Sequence, residues 1–220
     1  MLQIKYDRKR KDVFSEWSEI TIKEFHGLYQ IMHKYEDVDL DGDTTQKLLF
    51  MRDYVSYLLK EPPEYVEMMN TKHIEKLVAG THNLLTDFKH KELRMFDFEG
   101  ETYFFPTDNM RASTFGEFIE ISALDKSTEF LKNGKFDVVA EQMARICKRA
   151  DEMDVYLDEE VVKERAEKFQ NLTMNIVWEF CFFLLKQQNV LAKIFQTFGE
   201  GQQEVMNPKE QGKSLNLMDG

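Results

Sequence analysis

Cysteine is nearly missing from this chain: Cys147 and Cys181 are the two in 220 residues. Both fall inside helical apolar patterns, where a free thiol packs as a small hydrophobe. A disulfide framework is therefore not expected, and a reducing cytosol is the expectation. Long apolar runs are lacking too. The richest, Ile176 to Leu185, is about half the length a bilayer requires, and Glu179 interrupts it. It reads as a buried helix, not a membrane span. Met1 to Lys11 has no apolar stretch of the kind that marks a signal peptide. Positive charge is in deficit, with 29 Lys and Arg against 40 Asp and Glu, for a net charge of -11. Such a chain repels phosphate backbones on average, which disfavours general nucleic-acid binding. No phosphate-binding glycine loop, HExxH, GxSxG or paired CxxC occurs. No cofactor and no reaction are expected from these residues.

What the chain does have is 42% hydrophobic and 31% charged residues, with 18 Phe and 12 Met. That is a globular composition with large, adaptable packing surfaces. The length suits one well-filled core. Apolar residues recur every three or four positions through most of it, so the fold class expected is mainly α, several packed helices in one domain over residues 1–198. Residues 199–220 carry Gly, a Pro and few bulky apolar side chains, and read as a flexible C-terminal tail.

Leu2, Ile4 and Tyr6 alternate with polar residues and predict a short edge strand. The basic run Arg8 to Lys11 reads as solvated. Thr21 and Glu24 make a capping box for a first helix with Ile22, Phe25, Leu28, Tyr29 and Met32 on one face. A second helix spans Thr44 to Leu59. Pro62 and Pro63 break the chain before a short helix to Met69. Asn70 or Thr71 caps a third long helix, expected to face Leu77, Leu84 and Phe88 inward. Later helices are predicted from Thr114, over Phe136 to Lys148, from Asp158 with Val161, Val162 and Phe169 inward, over Asn171 to Lys186, and over Val190 to Phe198. No histidine has a partner at metal-ligand spacing.

Between the first two helices lies the acidic stretch Asp37-Val-Asp39-Leu-Asp41-Gly42-Asp43. It resembles the first half of an EF-hand loop, with Asp37, Asp39 and Asp41 at alternate positions and Gly42 at the turn. The second half departs from the pattern: Leu48 stands where the bidentate Glu belongs. The plainer reading is a helix connection in which Asp43 caps the second helix and Gln46 completes its capping box. A calcium-modulated binding module using Asp37, Asp39, Asp41 and Asp43 is the alternative.

The apolar period changes only within Leu93 to Ile121. Phe96, Phe98, Tyr103, Phe104 and Phe105 crowd around Glu99-Gly100, which predicts a β-hairpin at about 93–105. The aromatic pattern Phe98, Gly100, Tyr103, Phe105, followed by the phrase Thr114 to Glu120 (TFGEFIE), resembles tail-assembly chaperones and minor virion proteins of tailed bacteriophages. That resemblance covers roughly Ile20 to Phe198. It implies a non-enzymatic assembly protein in the virion or host cytoplasm, working in an oligomer or larger complex with other virion proteins. It transfers no functional residues. The nearly all-round apolar helix around Trp178, Phe182 and Phe183, the following Phe195 and Phe198, and the tail residues Leu215, Leu217 and Met218 are the expected partner-binding positions. Trp178 and Phe182 are expected to be buried.

Overall fold

The computed structural model describes residues 1–6, 9–86, 88–106, 136–153 and 155–186. The expected helix from Thr114, the Thr114–Glu120 phrase, the Val190–Phe198 helix and the 199–220 tail lie outside them.

The chain begins with a hairpin. Strand β1 (Leu2–Tyr6) pairs antiparallel with β2 (Lys9–Val13), Leu2 facing Val13 and Ile4 facing Lys11. The predicted edge strand is real, and Lys9 to Lys11 of the basic run lie in the second strand, where Arg10 is exposed and Lys11 partly buried. Ile4, Tyr6 and Val13 turn into the core. Lys11 reaches across to donate to the Leu59 carbonyl and lies 3.9 Å from Glu61. A lysine there meets the open carbonyl end of a helix, where positive charge is favoured.

Helix α1 (Ile22–Lys34) carries the predicted capping box, with Thr21 N–H donating to the Glu24 carboxylate at 3.1 Å and the Thr21 hydroxyl accepting from Glu24 N–H. Helix α2 (Thr44–Leu59) follows and crosses it closely. A Cβ placed on Gly27 would stand 2.6 Å from Tyr57 Cε2, and the Tyr57 hydroxyl donates to the Glu24 carbonyl. Helix α3 (Pro63–Glu67) starts on its proline as predicted.

Helix α4 (Thr71–Gly80) is capped by Asn70 and is shorter than expected: it stops before Leu84 and Phe88. The reason is Thr81. Its hydroxyl turns back to the Leu77 carbonyl at 2.9 Å, and the buried Tyr54 hydroxyl donates to it at 2.9 Å. The helix therefore ends on a side-chain bond that fixes α4 to α2. A 3-10 turn, His82–Leu84, still delivers Leu84 to the core.

Strands β3 (Met95–Phe98) and β4 (Glu101–Phe104) form the predicted hairpin. Glu99 and Gly100 both take positive φ, 52° and 85°. That is the primed turn whose twist matches a two-residue hairpin, and glycine occupies one of its two strained places. Phe96, Phe98 and Tyr103 pack on Phe169 with ring centroids 5.9, 5.6 and 5.0 Å away. An isolated hairpin is marginal in water, so this aromatic seat is what holds it.

Helices α5 (Phe136–Ile146) and α6 (Glu159–Phe169) pack against one another. The last described helix, α7, spans 174–186. Two short bridges tie these parts together. Thr21 pairs with Thr173, so α1 and α7 start side by side, and Phe104 pairs with Lys148, joining the hairpin to the end of α5. One apolar core runs from Ile4 to Leu184 and takes in all of these elements. The mainly α class and the 93–105 hairpin stand; the N-terminal hairpin is additional.

Candidate functional site

Each carboxylate of the acidic connection except Asp37 has a local task. Asp39 Oδ1 accepts from the backbone N–H of Gly42 at 2.9 Å and of Asp41 at 3.2 Å. Asp43 Oδ1 accepts from Thr45 N–H at 2.9 Å and Gln46 N–H at 3.1 Å, capping α2. Gln46 enters that cap through its backbone, not its side chain. Asp41 lies 3.3 Å from Lys47 Nζ. Asp37 is exposed. The arrangement is a turn and a helix cap, and Leu48, on α2, is 61% exposed. Among the described residues no three His, Cys, Asp or Glu side chains converge as a metal would need.

The expected partner-binding face divides. Phe195, Phe198, Leu215, Leu217 and Met218 lie outside the described residues. On α7, Met174, Val177, Phe180, Cys181 and Leu184 form the buried stripe. Trp178 is half-buried, edge-on to Trp17 at 5.9 Å and Phe25 at 5.6 Å. Phe183 is half-buried beside Phe105. Phe182 contradicts the expectation of burial: it is 37% exposed. It points away from the stripe and meets Phe88 at 6.2 Å and His90 at 4.9 Å. Leu185 is exposed as well. Val161 on α6 also faces solvent, at 42% exposure, because Val162, Arg165 and Phe169 take the inward face.

The residue on α7 that sequence reasoning passed over is Glu179. It is 2% exposed. Its carboxylate accepts from Lys91 N–H at 2.6 Å and Leu93 N–H at 3.3 Å, and His90 Nδ1 lies 2.7 Å away. Glu92, between the two donors, has φ 53°. That left-handed residue turns the backbone so that its neighbours' amides converge on one anion. A buried carboxylate demands partners, and these supply them. Glu179 thus fixes the strand entering the hairpin to α7. In the sequence it looked like an interruption of an apolar run.

A second buried charge pair was equally hidden. Arg165, 7% exposed, donates to Glu152 Oε1 at 2.5 Å and to the Cys147 carbonyl at 3.3 Å, and lies over the Tyr103 ring at 5.2 Å. Arg149 N–H donates to Glu152 Oε2 at 3.0 Å. Burial pushes the Glu152 carboxyl up, but the Arg149 amide and the Arg165 guanidinium outweigh it and hold the group below the usual range. The signal in the sequence was an Arg placed on the apolar side of α6. A third cluster joins α1, α2 and α3: Asp53 accepts from Lys34 at 2.7 Å, Tyr35 at 2.9 Å and Arg52 at 2.8 Å, while Arg52 also reaches Glu67. Both thiols are buried, and burial pushes Cys181 up to about 12 and Cys147 higher, so neither is a ready nucleophile.

Around this frame the segment 151–161 stands out. Met153, Val155, Tyr156 and Val161 are 43%, 51%, 66% and 42% exposed. Of the acids in this segment, Asp151 and Glu152 pair with Arg149, Glu152 also with Arg165, and Glu159 with Arg145. Among the described residues no helix is long and apolar enough to cross a membrane.

Compared with known proteins, the chain matches no family model, no curated protein and no solved structure.

Proposed function

We propose that this chain is a non-enzymatic assembly protein of a tailed bacteriophage, acting by protein-protein contact in the virion or the host cytoplasm. The aromatic hairpin pattern of Phe98, Gly100, Tyr103 and Phe105 supports the phage assignment by its resemblance to tail-assembly chaperones and minor virion proteins. One observation carries the contact function. The buried ionisable side chains Glu179, Glu152 and Arg165 are all committed to linking elements of the fold, whereas Met153, Val155, Tyr156, Phe182 and Leu185 remain exposed. Large apolar groups held in water by a rigid frame are the raw material of an interface. The partners in this reading are other virion or assembly proteins, in an oligomer or larger complex.

The test is genetic and structural. Phage lacking the gene should yield incomplete particles by electron microscopy, and the chain supplied in trans should restore them. Normal particles at normal titre without the gene would overturn the proposal.

A further inference from the structure

We propose that the outer edge of β3 is a strand-docking site, and that its occupant is the stretch 213–217 of a second copy of this chain. This rests on the contact function above and names the partner.

The backbone groups of that edge are aimed outward. In an antiparallel pair, facing residues either bond each other or both turn their N–H and C=O groups away. Met95 faces Phe104, and Asp97 faces Thr102. Phe104 N–H donates to the Lys148 carbonyl at 2.8 Å, and its carbonyl accepts from Lys148 N–H at 3.3 Å. Met95 and Phe104 are therefore an outward-turned pair. The neighbouring pair is bonded, with Phe105 N–H donating to the Arg94 carbonyl at 2.9 Å. Asp97, two residues on from Met95, turns outward as well. Among the described residues no backbone bond reaches Met95 or Asp97 on that side. Lys148 closes the edge of β4, and the edge of β3 is open. Such an edge is a template for another strand.

The side chains at the edge set what the incoming strand must carry. Met95 and Asp97 are exposed with buried Phe96 between them, so the two share the outer face. Met95 is apolar and 56% exposed. Asp97 accepts from the Thr102 hydroxyl at 2.6 Å, and no cation among the described residues pairs with it. The complement is an apolar residue with a cation two positions away. Residues 213–217 read Lys-Ser-Leu-Asn-Leu, so Lys213, Leu215 and Leu217 alternate with polar residues as in a strand. Run antiparallel to β3, Leu215 faces Met95 and Lys213 faces Asp97. Both are outward-turned pairs, so four backbone bonds can form. A slip by one residue would call on the groups of Phe96, which turn inward to Tyr103. A slip by two would set Leu215 against the Asp97 carboxylate.

The edge is held in shape before anything binds. Glu179 fixes the Lys91 and Leu93 amides just upstream, and Phe169 seats the hairpin's rings. A pre-ordered edge loses less entropy on association. The edge stands open in the single chain, which leaves it for another copy. Residues 187–212 give the stretch its reach, at about 3.3 Å per extended residue. One copy's tail on the next copy's β3 is a head-to-tail contact, which builds rings or filaments.

The experiment mixes two full-length variants, Met95→Cys and Leu215→Cys, under mild oxidation. Cys147 and Cys181 are buried and do not compete. Disulfide-linked pairs of unlike chains should form, with the bond between the two new positions by mass spectrometry. Met95→Cys mixed with Gln203→Cys should give few. Sedimentation of the unaltered chain should show self-association. Leu215→Pro removes the N–H that meets the Met95 carbonyl and should weaken association about tenfold, the scale of one lost backbone bond. Gln203→Pro should leave it unchanged. Asp97→Lys and Lys213→Asp should each weaken it about twofold to fivefold, the range of an exposed ion pair, and together should restore it. Amide exchange at Met95 and Asp97 of the unaltered chain should slow as concentration rises, a readout that needs no variant. A chain monomeric at every concentration, exchange that ignores concentration, or association that survives Leu215→Pro would overturn the proposal. A disulfide that forms only within one chain carrying both substitutions would place the tail on its own edge and overturn the second copy. Failure at the edge with the gene-deletion defect intact would leave the assembly function standing. Strand docking retained with no deletion defect would overturn the assembly function and keep the docking site.

Discussion

The Glu179 carboxylate and His90 Nδ1 lie 2.7 Å apart, the first buried and the second partly exposed. The pair joins α7 to the chain entering the hairpin, and the Lys91 and Leu93 amides complete it. Glu179→Gln keeps the size of the side chain but replaces one acceptor with a donor that faces backbone N–H groups. It should cost about 3 kcal/mol, because it leaves buried donors unmet. His90→Ala, on the wetter side, should cost less. Urea unfolding measures both, and amide exchange at Lys91 and Leu93 should quicken in Glu179→Gln. An unchanged midpoint for that variant would contradict the role.

Trp178 and Phe182 share a helix and should differ in effect. Trp178 is edge-on to Trp17, Phe25 and the surrounding core, so Trp178→Ala should cost about 3–5 kcal/mol. Phe182 keeps 37% of its surface in water, and Phe182→Ala should cost about half as much or less. Equal losses in thermal melts would mean that Phe182 is a core residue after all.

Acid should loosen the α1–α2–α3 corner. Burial alone would raise the Asp53 carboxyl above its ordinary 3.8, but the bonds from Lys34, Arg52 and Tyr35 win and lower it. A carboxyl lowered by folding contributes stability above its unfolded value, and that contribution is lost as pH falls through the folded one. Stability should therefore decline below about pH 4. Asp53→Asn should be less stable at neutral pH and show a shallower acid decline. An identical acid profile in that variant would rule this out.

Alkali should act through Tyr54. Burial pushes its hydroxyl from 10.0 up to about 12, with the Thr81 bond opposing. An acid raised by folding favours the fold while neutral, so stability is full below pH 10 and falls as pH rises towards 12. Tyr54→Phe should lose about 1 kcal/mol at neutral pH, for the bond to Thr81, and should flatten the alkaline decline. Alkaline melts of the two proteins compare directly.

Calcium should bind weakly if at all at Asp37, Asp39, Asp41 and Asp43. Asp39 and Asp43 already accept backbone N–H groups, and Leu48 offers no oxygen where the bidentate ligand belongs. Calorimetry giving micromolar affinity, abolished by Asp37→Ala, would restore the calcium-modulated reading.

Local rules were legible in the sequence wherever one stretch decides its own conformation. Thr21 and Glu24, Asp43, Asn70 and Pro63 start their helices by bonds or geometry within a turn. Glu99-Gly100 makes the hairpin because positive φ is a local property. The repeat of apolar residues gave the mainly α class for the same reason. Only the tertiary structure decided the rest. Whether Glu179 breaks an apolar helix or anchors it depends on the amides of residues 91 and 93, far away in the chain. Arg165 is buried because Glu152 and the end of α5 meet it there, and α4 stops at Thr81 because Tyr54 of another helix holds it. The Lys11 ammonium has a partner because the Leu59 carbonyl at the end of α2 comes to it. Phe182 is exposed because five other α7 positions fill the stripe facing the core. A side chain's periodicity is written in its neighbours along the chain; the partner that makes a charge tolerable, or leaves an aromatic in water, is supplied by residues the chain brings together only on folding.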